Sequence, residues 1–293
     1  MKGLLIFNKP QGITSHDVVY ILRRKLGIKK IGHTGTLDPL AEGVLPMCIG
    51  KATKIADYVS ADNKEYIATL EFGYETDSYD ITGEITNKSD NIPTREEILE
   101  KIEEFKGDIL QEPPMYSALK HNGRKLYELA REGITVERKK RAITIYEYEV
   151  LEFISEKEVK IRVNCSSGTY IRSLIRDLGI SLNTFCTMKS LLRTRVGEFH
   201  LNESITKEEL EAMSLEDIEK LIIPMDRALE SLEKFILPDW FYERALNGVA
   251  FKLKNAIENK QFRVYCKDEF LGIGESVTDD ENICKLKIKK LLI

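Results

Sequence analysis

Few histidines, no closely spaced cysteines and no long apolar run mark this chain, and each shortage removes a class of function. The four histidines (His16, His33, His121, His200) lie far apart, and the five cysteines (Cys48, Cys165, Cys186, Cys266, Cys284) occur singly. Neither set has the spacing of a metal site or a disulfide framework, so no metal is expected and the cysteines read as reduced thiols. No segment approaches the roughly 20 apolar residues of a membrane helix. The early run Leu4-Leu5-Ile6-Phe7 reads as a strand, not as the apolar stretch of a signal peptide. A cytoplasmic protein without membrane contact is the expectation. Phosphate-loop motifs and internal repeats are missing as well.

Positive charge is also short overall. The formal net charge is -4, which at long range works against binding a polyanion. The average hides a segregation, however. Residues 112–141 hold eight basic residues (Lys120, Arg124, Lys125, Arg131, Arg138, Lys139, Lys140, Arg141) against four acids, a local +4. Residues 203–220 hold seven acids against Lys207 and Lys220, a local -5. Phosphate contacts respond to the local field, so one cationic face is compatible with the acidic total. Solvated charged surface remains the plainer reading of such runs.

At 293 residues the chain is long enough for one large core and a small appendage. A strand over Lys2 to Phe7 meets the turn-forming Asn8-Lys9-Pro10-Gln11-Gly12. Ser15 then stands where a helix cap is expected, and Val18, Val19, Leu22 and Leu26 share one helical face. Tyr66 to Phe72 alternates as a strand does, Arg95 to Phe105 and Leu126 to Arg131 have helical spacing, and Ala142 to Phe153 and Val159 to Cys165 read as adjacent strands. A helix over Tyr170 to Leu178, closed by Gly179, follows. Strands interrupted irregularly by helices, without a βαβ repeat, predict an α+β fold on a mixed, largely antiparallel central sheet flanked by helices. Near Phe235 the composition changes. Phe262 to Tyr265, Phe270 to Gly274 and Ile283 to Ile288 are short strand candidates, which predicts a catalytic or binding domain over 1–234 and a small β-barrel-like domain over 235–293. So small a domain is expected to pack on the larger one.

The stretch Gly32-His33-Thr34-Gly35-Thr36-Leu37-Asp38-Pro39-Leu40-Ala41, with Gly43 soon after, has little periodicity and reads as an ordered loop. Pro39 pushes Asp38 toward extended backbone, and the glycines permit close approach of a ligand. One carboxylate would be presented from a fixed loop, although Asp-Pro is also a common turn dipeptide. This block resembles the signature of the TruB-type pseudouridine synthases. Further blocks match in the same order: Asn8-Lys9-Pro10 with Gly12, Thr14 and Ser15; Lys64-Glu65-Tyr66; Gln111 with Pro113, Pro114, Tyr116, Ser117, Ala118 and Lys120; and Ser167-Gly168-Thr169-Tyr170-Ile171-Arg172. The likeness is strong over roughly residues 3–200, and the tail more weakly resembles the PUA-like RNA-binding domain of these enzymes. Glu42 departs from the small or hydroxylated residue usual there and is expected to face solvent.

The resemblance implies an isomerase that converts the T-arm uridine of tRNA, position 55, to pseudouridine by flipping the base, cleaving its glycosidic bond and rejoining it through carbon. It implies no cofactor, no guide RNA and no obligate protein partner. Asp38 would be the catalytic carboxylate, with Arg172 pairing it and Tyr66 stacking on the base and transferring protons. Leu191 would wall the uracil pocket. His33 would hold the flipped T loop, and Tyr170 would contact the substrate. The basic insertion over about 112–141 would grip the tRNA arm through Lys120, Arg138, Lys139, Lys140 and Arg141. Three other readings stay open: an RNA-guided relative acting on ribosomal RNA, a non-catalytic tRNA-binding or tRNA-folding protein, and a metal-dependent RNA hydrolase.

Overall fold

The structure, a computed structural model, describes residues 1–253, 259–278 and 283–293. Its main element is a nine-stranded sheet. Along the principal path the order is Gly3–Lys9, Glu42–Ile49, Cys186–Val196, Lys64–Phe72, Glu158–Cys165, Arg141–Phe153 and Gly107–Gln111. Ile31–His33 pairs with Glu42–Ile49, and Phe199–His200 with Cys186–Val196. Every pairing is antiparallel except one: Cys186–Val196 runs parallel to Glu42–Ile49, with Leu192 opposite Glu42 and Arg193 opposite Gly43. The fold is thus α+β with a mixed, largely antiparallel sheet, as the element pattern predicts.

Strand chemistry explains the sheet's depth. Lys64–Phe72 alternates strictly, with Tyr66, Ala68, Leu70 and Phe72 buried, and its neighbour Glu158–Cys165 buries Val159, Ile161, Val163 and Cys165. Against that face pack two helices. Ser15–Leu26 buries Val18, Val19, Leu22 and Leu26, and Ile171–Ser181 buries Ile171, Leu174, Ile175 and Leu178. Each apolar side chain withdrawn from water there stabilises the fold at roughly 25 cal/mol per Å² of area buried.

Three local expectations are corrected. Thr14, not Ser15, caps the first helix: its hydroxyl accepts from the Asp17 amide, and Asp17 returns the bond to the Thr14 amide. Ser15 is freed to point inward, where it bonds both main-chain groups of Leu37. Gly179 does not close its helix, which continues to Ser181. A Cβ there would meet the Cys186 amide nitrogen at 2.7 Å, so the glycine lets the helix lie directly on the strand that follows. Part of the expected Gly32 to Gly43 loop is also strand, since Ile31–His33 and Glu42–Ile49 pair across it and leave residues 34–41 as the loop proper.

Beyond residue 230 a second sheet of five strands curls into a half-barrel, in the order Glu233–Ile236, Gln261–Cys266, Glu269–Thr278, Cys284–Leu291 and Phe251–Lys252. It begins at Glu233. Phe241, Phe262, Val264, Cys266 and Leu271 form its own core. Its Ile273 and Leu292 join a different cluster, with Leu4, Ile6, Val44, Cys48 and Met225 beneath the main sheet. The two sheets therefore share apolar surface, as expected for so small an appendage.

Candidate active site

Residues 34–41 form a loop held from several sides. Ser15 bonds Leu37, the Gly12 amide donates to the Pro39 carbonyl at 2.8 Å, the Thr34 amide donates to the Pro46 carbonyl at 3.1 Å, and the Ala41 amide closes onto the Asp38 carbonyl at 3.0 Å. Lys9 is wholly buried beneath, its ammonium donating to the Pro10 and Ile13 carbonyls. Burial lowers the Lys9 pKa to about 8, with Asp38 and Glu42 acting against that fall. The motif Asn8-Lys9-Pro10 with Gly12, Thr14 and Ser15 is thus the support of the Asp38 loop.

Asp38 reaches the floor of a cleft of about 620 Å³, and its side chain is 37 % exposed. Arg172, in the first turn of Ile171–Ser181 and 5 % exposed, meets Asp38 Oδ2 through Nη2 at 2.7 Å. The same guanidinium touches Asp80 Oδ2 at 3.5 Å and donates to the Ser78 and Tyr116 carbonyls at 3.0 and 2.8 Å. Asp80 is itself fixed, because its Oδ1 accepts from the Ser78 hydroxyl and from the amide and hydroxyl of Thr82. Two carboxylates share one planar cation, so the guanidinium has little freedom and Asp38 is aimed by it. Paired with a cation and partly exposed, Asp38 is placed to act as nucleophile or as base on a group entering the cleft.

Tyr66, Leu191, Tyr170 and Arg141 line the same cleft, together with Lys64, Ser117 and Arg193. Burial raises the Tyr66 pKa, with Arg193 acting against that rise, and burial also raises that of Tyr170. The Tyr170 backbone is held at both polar atoms by the Gln111 side chain, at 2.8 and 3.0 Å. Glu42 faces solvent, as expected.

The remaining expected binding residues lie outside the cleft lining. His33 ends the strand Ile31–His33, with its Nδ1 buried and unpartnered, and burial lowers its pKa. Lys120, Lys139 and Lys140 are exposed on the insertion. Arg138 departs from them: Nη2 pairs with Glu112 at 2.7 Å and Nη1 donates to the Pro113 carbonyl. That arginine ties the exit of the insertion to its entrance, with two of its nitrogens engaged within the protein.

Sequence reading missed Asp80, Arg193 and the placement of Lys64. Asp80 stands in Asp77-Ser78-Tyr79-Asp80-Ile81-Thr82-Gly83, a run that reads as an ordinary turn. Its link to Arg172 spans a long stretch of the chain and leaves no local signal.

A loop-borne carboxylate paired by a helix-borne arginine thus shares one cleft of the mixed sheet with Tyr66 and Tyr170. Residues 23–171 match the family model described as the TruB family pseudouridylate synthase N-terminal domain, and residues 172–230 match the tRNA pseudouridylate synthase B C-terminal domain. The chain belongs to the TruB family of pseudouridine synthases. Proteins named tRNA pseudouridine synthase B from Clostridium kluyveri and Alkaliphilus oremlandii are 47 % and 44 % identical to it. The first alignment covers 94 % of this chain and 95 % of the relative, the second 100 % and 99 %. Among solved structures, a Cbf5-Nop10-Gar1 complex matches with a TM-score of 0.74 at 26 % identity, covering 99 % of this chain and 85 % of that one. An H/ACA RNP bound to a substrate RNA containing 2'-deoxyuridine matches with the same TM-score at 25 % identity and the same coverage.

Proposed function

We propose that this protein isomerises the T-arm uridine of tRNA to pseudouridine, working in the cytoplasm without metal, cofactor, guide RNA or protein partner. The observation that carries the reading is the Asp38–Arg172 pair at 2.7 Å on the floor of a cleft large enough for one flipped nucleotide. The reaction breaks the bond from N1 of uracil to the sugar and forms one from C5; a proton leaves C5 and one is gained at N1. Asp38 attacks the uridine as a nucleophile or removes a sugar proton, Arg172 holds it aimed, and Tyr66 stacks on the base and passes protons. Leu191 packs against the uracil and Tyr170 supports its far side. His33 stacks to keep the T loop open, and Lys120, Lys139, Lys140 and Arg141 draw in phosphates of the tRNA arm. In this reading the catalytic domain spans 1–234 and the region 235–293 is a PUA-like RNA-binding domain.

The tRNA reading is preferred to the RNA-guided one because the full-length relatives at 44–47 % identity are named as tRNA enzymes, while the H/ACA proteins stand at 25–26 %. Five free cysteines, four of them buried, suit a reducing compartment. The test is incubation of purified protein with unmodified tRNA and no guide RNA, then mapping of pseudouridine. Modification of the T-arm uridine supports the reading; unmodified tRNA overturns it.

A further inference from the structure

Arg193 is one of the largest side chains fully enclosed in the molecule, at 1 % exposure. Among the described residues it joins no ion pair, unlike Arg172 with its two carboxylates. A buried guanidinium without a carboxylate is costly, so its donors must find other partners. They go to main-chain carbonyls: Nε to Val44 at 2.8 Å and Nη2 to Gly35 at 3.2 Å. Those two residues bracket Asp38, one before it and one after. Arg193 also lies at the junction of three strands, opposite Gly43 in the parallel pairing and opposite Tyr66 in the antiparallel one. The approach to Gly43 is so close that a Cβ there would stand 2.2 Å from the Arg193 carbonyl oxygen. Gly35, Asp38, Tyr66 and Arg193 line one cleft.

We propose that Arg193 is a positioning residue for the isomerisation, stapling the start of the Asp38 loop at Gly35 to the strand that leaves it at Val44, beside Tyr66, and so setting the carboxylate against the hydroxyl. A guanidinium offers five donors in a planar fork and no acceptor. It can therefore hold two carbonyls at once, and a tyrosine oxygen lying against it must accept. The electrostatic bearing of Arg193 on Tyr66 agrees with this arrangement. Lysine would keep the charge but lack the planar fork whose separate nitrogens, Nε and Nη2, meet Val44 and Gly35.

The inference rests on the reading of the protein as a tRNA uridine isomerase. Its test is Arg193→Lys in the full chain, with unmodified tRNA as the probe, measured three ways: single-turnover rate at saturating enzyme, tRNA Kd and thermal melting. The expected result is a rate at least ~30-fold below the parent, a Kd within about threefold and melting still above the assay temperature. A near-parental rate overturns the proposal. So does a rate loss matched by an equal loss of affinity, or a variant that does not fold, since either makes Arg193 a requirement of general structure. A parent protein that forms no pseudouridine in the same assay would instead sink the functional reading beneath it.

Discussion

The cleft and the basic insertion use arginine in opposite ways. In the cleft, Arg172 and Arg193 are buried at 5 % and 1 % exposure, and their donors engage carboxylates or main-chain carbonyls. In residues 112–141 a satellite core built on Met115, Leu126 and Leu129 supports the chain, and Lys139, Lys140 and Arg141 stand exposed. Buried cations with satisfied donors fix geometry closely, while exposed ones supply a field that a flexible polyanion can meet in many poses. Arg138 shows that the division follows environment and not position. It is next to Lys139 in sequence yet pairs inward with Glu112, which Arg176 also approaches at 3.6 Å. The root of the insertion is thereby tied to the helix that carries Arg172.

The sharpest way to break this comparison is Asp38→Asn, which keeps shape and removes charge and nucleophilicity. Isomerisation should fall by roughly a thousandfold or more while tRNA Kd stays within about tenfold. A filter-binding titration beside a single-turnover assay checks both, and near-normal turnover would end the assignment of Asp38. Next in size is Arg172→Ala. It strips a buried partner from Asp80 and frees Asp38, so activity should collapse and stability should drop by about 3 kcal/mol. Chemical denaturation reads the second effect, and an unaltered midpoint would show that the shared cation is not structural.

Tyr66→Phe sharpens the role of the cleft's aromatic wall. Stacking is retained and the hydroxyl removed, so binding should hold while the single-turnover rate falls steeply. If phenylalanine suffices and only Tyr66→Leu fails, the ring acts by stacking alone, worth roughly 1–3 kcal/mol. The smallest effects belong to the insertion. Neutralising Lys139, Lys140 and Arg141 together should lower the slope of log affinity against log salt by about 0.7 for each phosphate that is no longer neutralised. Arg138→Met should leave that slope unchanged. A slope that responds to Arg138 and not to its three neighbours would reverse the contrast drawn between them.

Local chemistry announced most of the elements. The alternation of Tyr66 to Phe72, the helical face of Val18, Val19, Leu22 and Leu26, and the basic run near residue 140 all depend on neighbours a few residues apart, and the structure places them accordingly. The cap expected at Ser15 belongs to Thr14, whose hydroxyl and amide both meet Asp17 three residues on. Ser15 bonds Leu37 instead, a partner 22 residues away that near neighbours do not reveal. The same limit holds for Gly179, whose task is defined by Cys186 lying against it.

Asp38 was legible because its loop carries turn chemistry and a family signature within ten residues. Arg172 and Tyr66 were legible only through the further family blocks Lys64-Glu65-Tyr66 and Ser167 to Arg172. Asp80 and Arg193 were not, since nothing around them departs from an ordinary turn and an ordinary strand. By itself the sequence determined where strands and helices form, which carboxylate stands in the loop and where the cations gather, all of which rest on interactions between near neighbours. Only the tertiary structure decided that Asp80 shares Arg172 with Asp38, that Arg138 turns inward, and that Arg193 lies without a carboxylate between the Asp38 loop and Tyr66. Those facts depend on which charges are buried together, and burial is a property of the folded chain.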